Sequence, residues 1–135
     1  MKRLHLDANV VLRFLRDDDV KQSPAARRPI GEASEGKIVL VLSAVTVGEI
    51  FYALRAAYKL PRTEIVSLLD AVVRCGVFDV EHERRLLDAL SRVRTANVDF
   101  VDAWLAASAK EAGETVASFD QDFSKFADVE WCLPK

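Results

Sequence analysis

The chain has 135 residues, half of them hydrophobic and 30% charged, a composition typical of a globular domain with an apolar core. Its formal net charge of −2 excludes overall positive charge as the means of attracting nucleic acid or an anionic membrane. Two cysteines without CxxC spacing, Cys75 and Cys132, exclude a disulfide framework or a cysteine-based zinc site and predict reduced, partly buried thiols.

Short β-rich runs alternate with longer helical patterns along the chain. Strands are predicted at residues 3–6, 37–42, 76–80, 115–119 and 129–132, and the main helices at 8–15, 45–59, 60–74, 81–94, 102–112 and 121–126. Between the first helix and the second strand, Ser23 and Pro24 resemble a helix N-cap followed by proline at the first helical position. Pro29 is expected to break or kink that helix within two turns.

This alternation predicts a three-layer α/β/α sandwich. Right-handed crossovers between parallel strands place helices on both faces of a central parallel sheet of about five short strands. No repeat, linker or low-complexity segment divides the chain, so we expect residues 1–135 to form a single domain.

The uncharged central stretch 38–48 is too short to cross a bilayer, and Asp7 and Arg13 interrupt any N-terminal signal sequence. We therefore expect a cytoplasmic protein.

Acidic residues recur where elements of this predicted sheet end or begin. Asp7 ends the first strand, and Glu49 lies in the first turns of the helix after the second strand. Asp99 and Asp102 stand at the start of a helix, and Asp120 follows the strand TVASF. Because the carboxyl ends of parallel strands lie at one edge of a sheet, we expect these acids to converge there.

The acids have two explanations. Those that precede helices can be N-caps, and Thr46 with Glu49 matches a capping box. Asp102 stands in the first turn of a helix, where the helix dipole favours a negative charge. A metal site is favoured because nearby carboxylates repel by roughly 1–4 kcal/mol per close pair, and because Glu49 lies on a helix that is apolar nearly all round. Hard oxygen ligands predict magnesium or manganese and not zinc, since neither His5 nor His82 belongs to a metal-ligand pattern.

Four short motifs support the metal site by their order along the chain. They are Asp7-Ala-Asn-Val, Thr-Val-Gly-Glu49, Asp102-Ala-Trp-Leu-Ala-Ala and Ser118-Phe-Asp-Gln-Asp-Phe123. Taken together, in a region that spans residues 4 to 126, they resemble the motifs of PIN-domain ribonucleases of the VapC toxin type. By that resemblance the whole chain, residues 1–135, would be one PIN domain.

The resemblance implies a catalytic pocket that binds one or two Mg²⁺ or Mn²⁺ ions and hydrolyses RNA phosphodiester bonds. Asp7 and Asp102 would be the principal metal ligands, and Glu49 and Asp120 would complete the cluster directly or through water. Residues that would orient or assist these acids are Asn9, Thr46, Ser118, Asp99 (a helix cap or auxiliary acid) and Asp122 (an accessory acid). Water activated by metal would serve as the nucleophile, which leaves a 5′-phosphate and a 3′-hydroxyl.

The same resemblance implies partners. Proteins of this type form homodimers and bind a small antitoxin of the VapB type, which blocks the pocket. Apolar faces on residues 45–58 and 65–73 can serve such contacts, although both can equally be core. The RNA backbone would bind local groups of basic residues, for which the candidates are Lys2 with Arg3, Arg27 with Arg28, and Arg84, Arg85, Arg92 and Arg94.

Three other functions are open at this point. A response-regulator receiver would need a second acid before Asp7 and a lysine after a late strand, and the sequence has neither. A haloacid-dehalogenase phosphatase would need an aspartate where Asn9 stands. A PIN-like scaffold without catalysis, in which the acids are only helix caps, would bind RNA or protein; the intact acids argue against it.

Overall fold

Five short strands and six α-helices make up the fold, which a computed structural model describes over residues 1–135. No helix is both long enough and apolar enough to cross a membrane. In chain order the elements are β1 (Arg3–His5), α1 (Ala8–Arg16), α2 (Gln22–Ser34), β2 (Val39–Leu42), α3 (Ala44–Ala56), α4 (Arg62–Arg74), β3 (Phe78–Val80), α5 (Glu83–Ala96), α6 (Phe100–Ala112), β4 (Val116–Ala117), a 3₁₀ helix (Gln121–Lys125) and β5 (Trp131–Cys132).

All the strands are parallel, and they divide between two sheets. One sheet has the order β1-β2-β3, with Leu4 opposite Leu40 and Leu40 opposite Phe78. The other sheet contains only β4 and β5, paired from Val116 opposite Trp131. The chain has the predicted three-layer α/β/α fold, and its five strands form a three-stranded and a two-stranded part in place of one continuous sheet.

The core lies between the three-stranded sheet and the helices. Leu40, Val41 and Leu42 of β2 are almost completely buried, as expected of a strand that is covered on both faces. In α3 the buried residues follow the i, i+3, i+4, i+7 spacing of one helix face: Val47, Ile50, Phe51 and Leu54. Each large apolar side chain that is buried in this way contributes roughly 1.5–3 kcal/mol to stability, so α3 is held firmly against α1 and α4 and the residues at its N-terminus are fixed in position.

Helix α2 differs from the prediction in where it begins and in not being broken at Pro29. It begins at Gln22, one residue before the predicted N-cap, because the Asp19 side chain accepts hydrogen bonds from the backbone N–H groups of Lys21 and Gln22 at 3.0 and 2.7 Å. The helix also continues through Pro29 to Ser34. Proline removes one backbone hydrogen bond, but the buried residues of this helix, which include Ala26 and Ile30, keep it packed against the domain.

Both cysteine thiols are free, as the sequence predicts, but neither is partly buried. Cys75 directly follows α4, and Cys132 lies in the two-residue strand β5; both residues are exposed. The prediction of burial was wrong because both residues stand at the ends of elements, where the packing of neighbouring elements decides exposure.

Candidate active site

The predicted acids lie where the sequence places them along the chain. Asp7 directly follows the β1 ladder, since the N–H of Leu6 still donates to the carbonyl of Val41 at 3.0 Å. Glu49 lies in the second turn of α3, after β2. Asp102 is in the first turn of α6, and Asp120 immediately precedes the 3₁₀ helix.

Three carboxylates form a close cluster. Oxygen atoms of Asp102, Asp120 and Asp122 all lie within 4.8 Å of one another; Asp102 and Asp122 are half-buried and Asp120 is exposed. Two of the four predicted ligands, Asp102 and Asp120, therefore meet. The third member, Asp122, was expected only as an accessory acid, although its Asp-x-Asp spacing from Asp120 was visible in the sequence. Asp7 and Glu49 are not members of this group.

The cluster concentrates negative charge. Burial raises the pKa of the Asp102 carboxyl, and the negative charges of Asp120, Asp99 and Asp122 raise it further. No arginine pairs with Asp102 or Asp120, and the one basic side chain in contact with the cluster is Lys125, 3.3 Å from Asp122. A set of hard oxygen donors with so little balancing charge fits Mg²⁺ or Mn²⁺.

Two successive turns hold the acids that follow β4. The Ser118 hydroxyl accepts a hydrogen bond from the backbone N–H of Asp120 at 2.9 Å, and an Asp120 carboxylate oxygen accepts one from the N–H of Asp122 at 2.8 Å. Asp120 therefore does cap the 3₁₀ helix, as the cap explanation expects. A carboxylate has two oxygens, so this cap leaves the second oxygen of Asp120 available to the cluster.

The cap explanation is wrong for Asp7 and Glu49. Asp7 occupies the N-cap position of α1, but its side chain forms no capping hydrogen bond. Helix α3 is capped by Ser43, whose hydroxyl accepts from the N–H of Thr46 at 3.2 Å, and not by a Thr46–Glu49 capping box. The Thr46 hydroxyl donates instead to the carbonyl of Leu6 at 3.0 Å. This bond ties the start of α3 to the residue before Asp7.

The profile of the PIN domain family matches residues 4–129. The chain belongs to the PIN domain family. PIN domains are generally nucleases, they act on RNA, and they typically depend on divalent metal ions. No curated protein matches the sequence significantly. Family membership removes the receiver and phosphatase alternatives, and the carboxylate cluster agrees with the metal chemistry of the family.

Asp99 of this PIN domain forms ion pairs with two arginines. Its carboxylate binds Arg55 of α3 at 2.5 Å and Arg62 of α4 at 2.7 Å. Burial acts to raise the pKa of Asp99, but the hydrogen bonds and positive charges of Arg62 and Arg55 outweigh it and lower that pKa. Asp99 stands at the N-cap position of α6 as predicted, yet its side chain makes no cap bond. Local sequence spacing does not predict these two arginines, because they come from other helices.

A large apolar cavity of the PIN domain includes Glu49 among its lining residues. It has a volume of about 620 Å³ between α3 and α6, and its nine lining residues include Val45, Val101, Leu105 and, as the only acid, Glu49. Glu49 itself is exposed, so the expectation of a glutamate enclosed by apolar neighbours was wrong: α6 leaves that face of α3 open. Apart from Glu49, the walls of this cavity offer no carboxylate that could bind a metal ion.

Asn9, predicted to orient the acids, is exposed and lines a separate cavity of about 330 Å³ with Arg13 and Gln22. Its side chain forms no hydrogen bond within the protein, whereas Arg13 donates to Gln22 at 2.8 Å. The structure therefore brings Ser118 and Thr46 into hydrogen bonds at this edge of the domain and leaves Asn9 without one.

Four of the eight predicted basic residues are already paired with acids. Arg92 is buried and binds Asp88 and Asp128, which makes it part of the packing of α5 and not a free contact for RNA. The other ion pairs of these groups are Arg3 with Asp79, Arg27 with Asp17, and Arg85 with Glu111. The positive charge that remains free in these groups is carried by Lys2, Arg28, Arg84 and Arg94.

Proposed function

We propose that this PIN domain is a Mg²⁺- or Mn²⁺-dependent endoribonuclease. The observation that carries the proposal is the cluster of Asp102, Asp120 and Asp122, whose oxygens lie within 4.8 Å of one another with a single lysine as balancing charge. Three carboxylates this close repel one another unless a cation lies between them. A nuclease family and a set of oxygen donors together favour a bound divalent metal ion over any structural explanation of the cluster.

The metal would be held by Asp102, Asp120 and Asp122, with Asp7 and Glu49 as further ligands, directly or through water. When bound, it would supply positive charge to the phosphate and lower the pKa of the attacking water. The side chains of the protein have supporting tasks. Ser118 fixes the backbone of Asp120, and the Thr46 hydroxyl fixes the carbonyl of Leu6 just before Asp7.

We further propose, on the resemblance of the motifs, that the protein is a toxin of the VapC type acting in the cytoplasm. In this proposal residues 1–135 are one PIN domain, which forms a homodimer and binds a small antitoxin of the VapB type. The apolar cavity supports a protein contact, because Val45, Val101 and Leu105 leave 74%, 52% and 46% of their surface exposed. Contiguous apolar surface of this kind is typical of an interaction site.

Cleavage of RNA by the purified protein tests the proposed activity. Wild type is incubated with single-stranded RNA in Mg²⁺, in Mn²⁺ and in EDTA, and the products are analysed for a 5′-phosphate. We expect cleavage with either metal and none in EDTA, and a loss of more than about a hundredfold in Asp120→Asn. Asparagine keeps the capping oxygen, so this variant removes charge and not the 3₁₀ helix. Cleavage that persists in EDTA would contradict a metal-dependent mechanism.

A further inference from the structure

Lys125 is the only basic side chain in contact with the acid cluster. Its ammonium group lies 3.3 Å from an Asp122 carboxylate oxygen, and it is the last residue of the 3₁₀ helix. In a 3₁₀ helix residues i and i+3 eclipse each other, so Asp122 and Lys125 project from the same side. An α-helix at the same place would turn them apart by about 60°. The helix type therefore directs Lys125 toward the acids.

The backbone of Lys125 is fixed while its side chain stays accessible. Phe123 and Phe126, on either side of it, are buried, and the N–H of Phe126 donates to the carbonyl of Phe123 at 3.2 Å. At the other end of the helix, Asp120 holds the N–H of Asp122. The Lys125 side chain is nonetheless 43% exposed, so its ammonium can leave Asp122 for a ligand without any movement of the main chain.

Lys125 is the basic side chain beside the cluster that can bind an approaching RNA phosphate. Arg55 and Arg62 are both bound to Asp99, the acid at the N-cap position of α6. An RNA phosphate that approaches Asp102, Asp120 and Asp122 meets negative charge, and a cation at the rim reduces that repulsion. A metal ion that engages Asp122 would also compete with Lys125 for the same carboxylate, which frees the ammonium for the phosphate.

We propose that Lys125 binds a backbone phosphate of the RNA substrate beside the acid cluster, and that Asp122 holds it in position when RNA is absent. The inference rests on the proposed nuclease function, and it adds a substrate-binding residue that the four motifs do not contain. Lysine binds phosphate as a point charge, so arginine at the same position is expected to substitute for it.

Three variants test the role of this charge. Lys125→Met removes the charge and keeps the length of the side chain, and Lys125→Arg keeps the charge. Lys37→Met is the matched control, because Lys37 is also exposed and paired with an acid, Glu35, at 2.7 Å, but precedes β2 at the opposite end of the strand. For each variant, kcat and KM for single-stranded RNA are measured in Mn²⁺ over a range of salt concentrations. RNA binding is measured separately in Ca²⁺ by fluorescence anisotropy.

We expect Lys125→Met to lower kcat/KM by about tenfold, chiefly through a higher KM. The dependence of binding on salt should weaken by about 0.7 in the logarithmic slope, the contribution of one phosphate contact to a single strand. Lys125→Arg should restore most of the loss, and Lys37→Met should behave as wild type. A merely structural ion pair would change thermal stability and leave both the salt slope and KM unaltered.

The proposal is overturned if Lys125→Met binds and cuts RNA like wild type, or if it binds Mn²⁺ more tightly and cuts faster. The second result would make Lys125 only a competitor of the metal. RNA binding that depends on Lys125, in a protein that cuts nothing, would contradict the nuclease function and support the phosphate contact. A wild-type protein that neither binds nor cuts RNA would refute both.

Discussion

The Asp102 carboxylate, in the first turn of α6, meets that of Asp120, which follows β4. Burial raises the pKa of Asp102, and the negative charge of Asp120 is the next contribution in the same direction. The two acids are therefore coupled electrostatically before any metal binds. This coupling is the physical basis of the first two predictions.

Removing the charge of Asp120 should lower the pKa of Asp102. In Asp120→Asn the strongest of the neighbouring charges is lost while burial is unchanged, so the Asp102 carboxyl should titrate at lower pH than in wild type. NMR titration of the Asp102 carboxyl carbon in EDTA measures this directly. The control is Asp70→Asn, which removes an aspartate that pairs with Arg74 on α4. An Asp102 pKa that is the same in all three proteins would show that the acids are not coupled.

Asp102→Asn should stabilise the metal-free protein. A raised pKa means that ionising Asp102 costs folding free energy, so wild type is most stable with Asp102 protonated and loses that stability as pH rises through the raised pKa. Asparagine is neutral at every pH, so Asp102→Asn should be more stable than wild type at pH 7 in EDTA. Urea unfolding measures the difference.

In Mg²⁺ wild type should become more stable than Asp102→Asn, because a ligand that binds only the folded state stabilises it. Wild type should gain stability in 10 mM Mg²⁺, roughly a hundredfold excess over an assumed Kd of about 0.1 mM, whereas Asp102→Asn should gain little. Equal gains in the two proteins would place the metal elsewhere.

Asp99→Asn should destabilise the protein in a way that depends on pH. Arg55 and Arg62 would lose their shared carboxylate, at a cost of about 1 kcal/mol once the partial exposure of all three side chains is taken into account. Because the folded pKa of Asp99 is lowered, its contribution is present above the ordinary pKa and is lost as pH falls through the lowered value. Thermal unfolding should therefore separate wild type from the variant at pH 7 and bring them together in acid. A difference that is constant with pH would contradict the ion-pair network.

Leu105→Lys should disrupt the proposed homodimer. Leu105 lies on the wall of the apolar cavity and is 46% exposed, so a charge there would be buried in any interface between two copies that covers this face. Light scattering after size exclusion should give twice the 15.0 kDa chain mass for wild type and the single mass for Leu105→Lys. Val20→Lys is the control, because Val20 is 94% exposed between α1 and α2. A monomeric wild type at tens of micromolar would refute the homodimer.

The order of elements and the meeting of Asp102 with Asp120 could be predicted because both depend on regular patterns. Hydrophobic periodicity marks strands and helices, and in a fold of parallel strands and crossover helices the ends of strands and the starts of helices lie on the same side of the domain. The separation of β4 and β5 from the other strands could not be predicted, because strands of two residues carry too little pattern to specify their partners.

Other features of the site depend on side-chain contacts between distant segments. The ion pairs of Asp99 join three helices, and no local spacing connects those residues. Glu49 was expected among apolar neighbours because a helical wheel shows which residues share a face, but not which faces another helix covers. Asp122 joins the cluster through a turn that Asp120 caps, a local feature that the Asp-x-Asp spacing does signal.

The most direct test of the nuclease site is RNA cleavage over a Mn²⁺ titration by wild type, Asp102→Asn and Asp70→Asn, each with its Mn²⁺ affinity measured by calorimetry. The proposed site predicts that Asp102→Asn remains folded and loses both Mn²⁺ binding and more than about a hundredfold in cleavage, whereas Asp70→Asn matches wild type. If Asp102→Asn binds Mn²⁺ and cuts RNA as wild type does, the acid cluster is not the catalytic site.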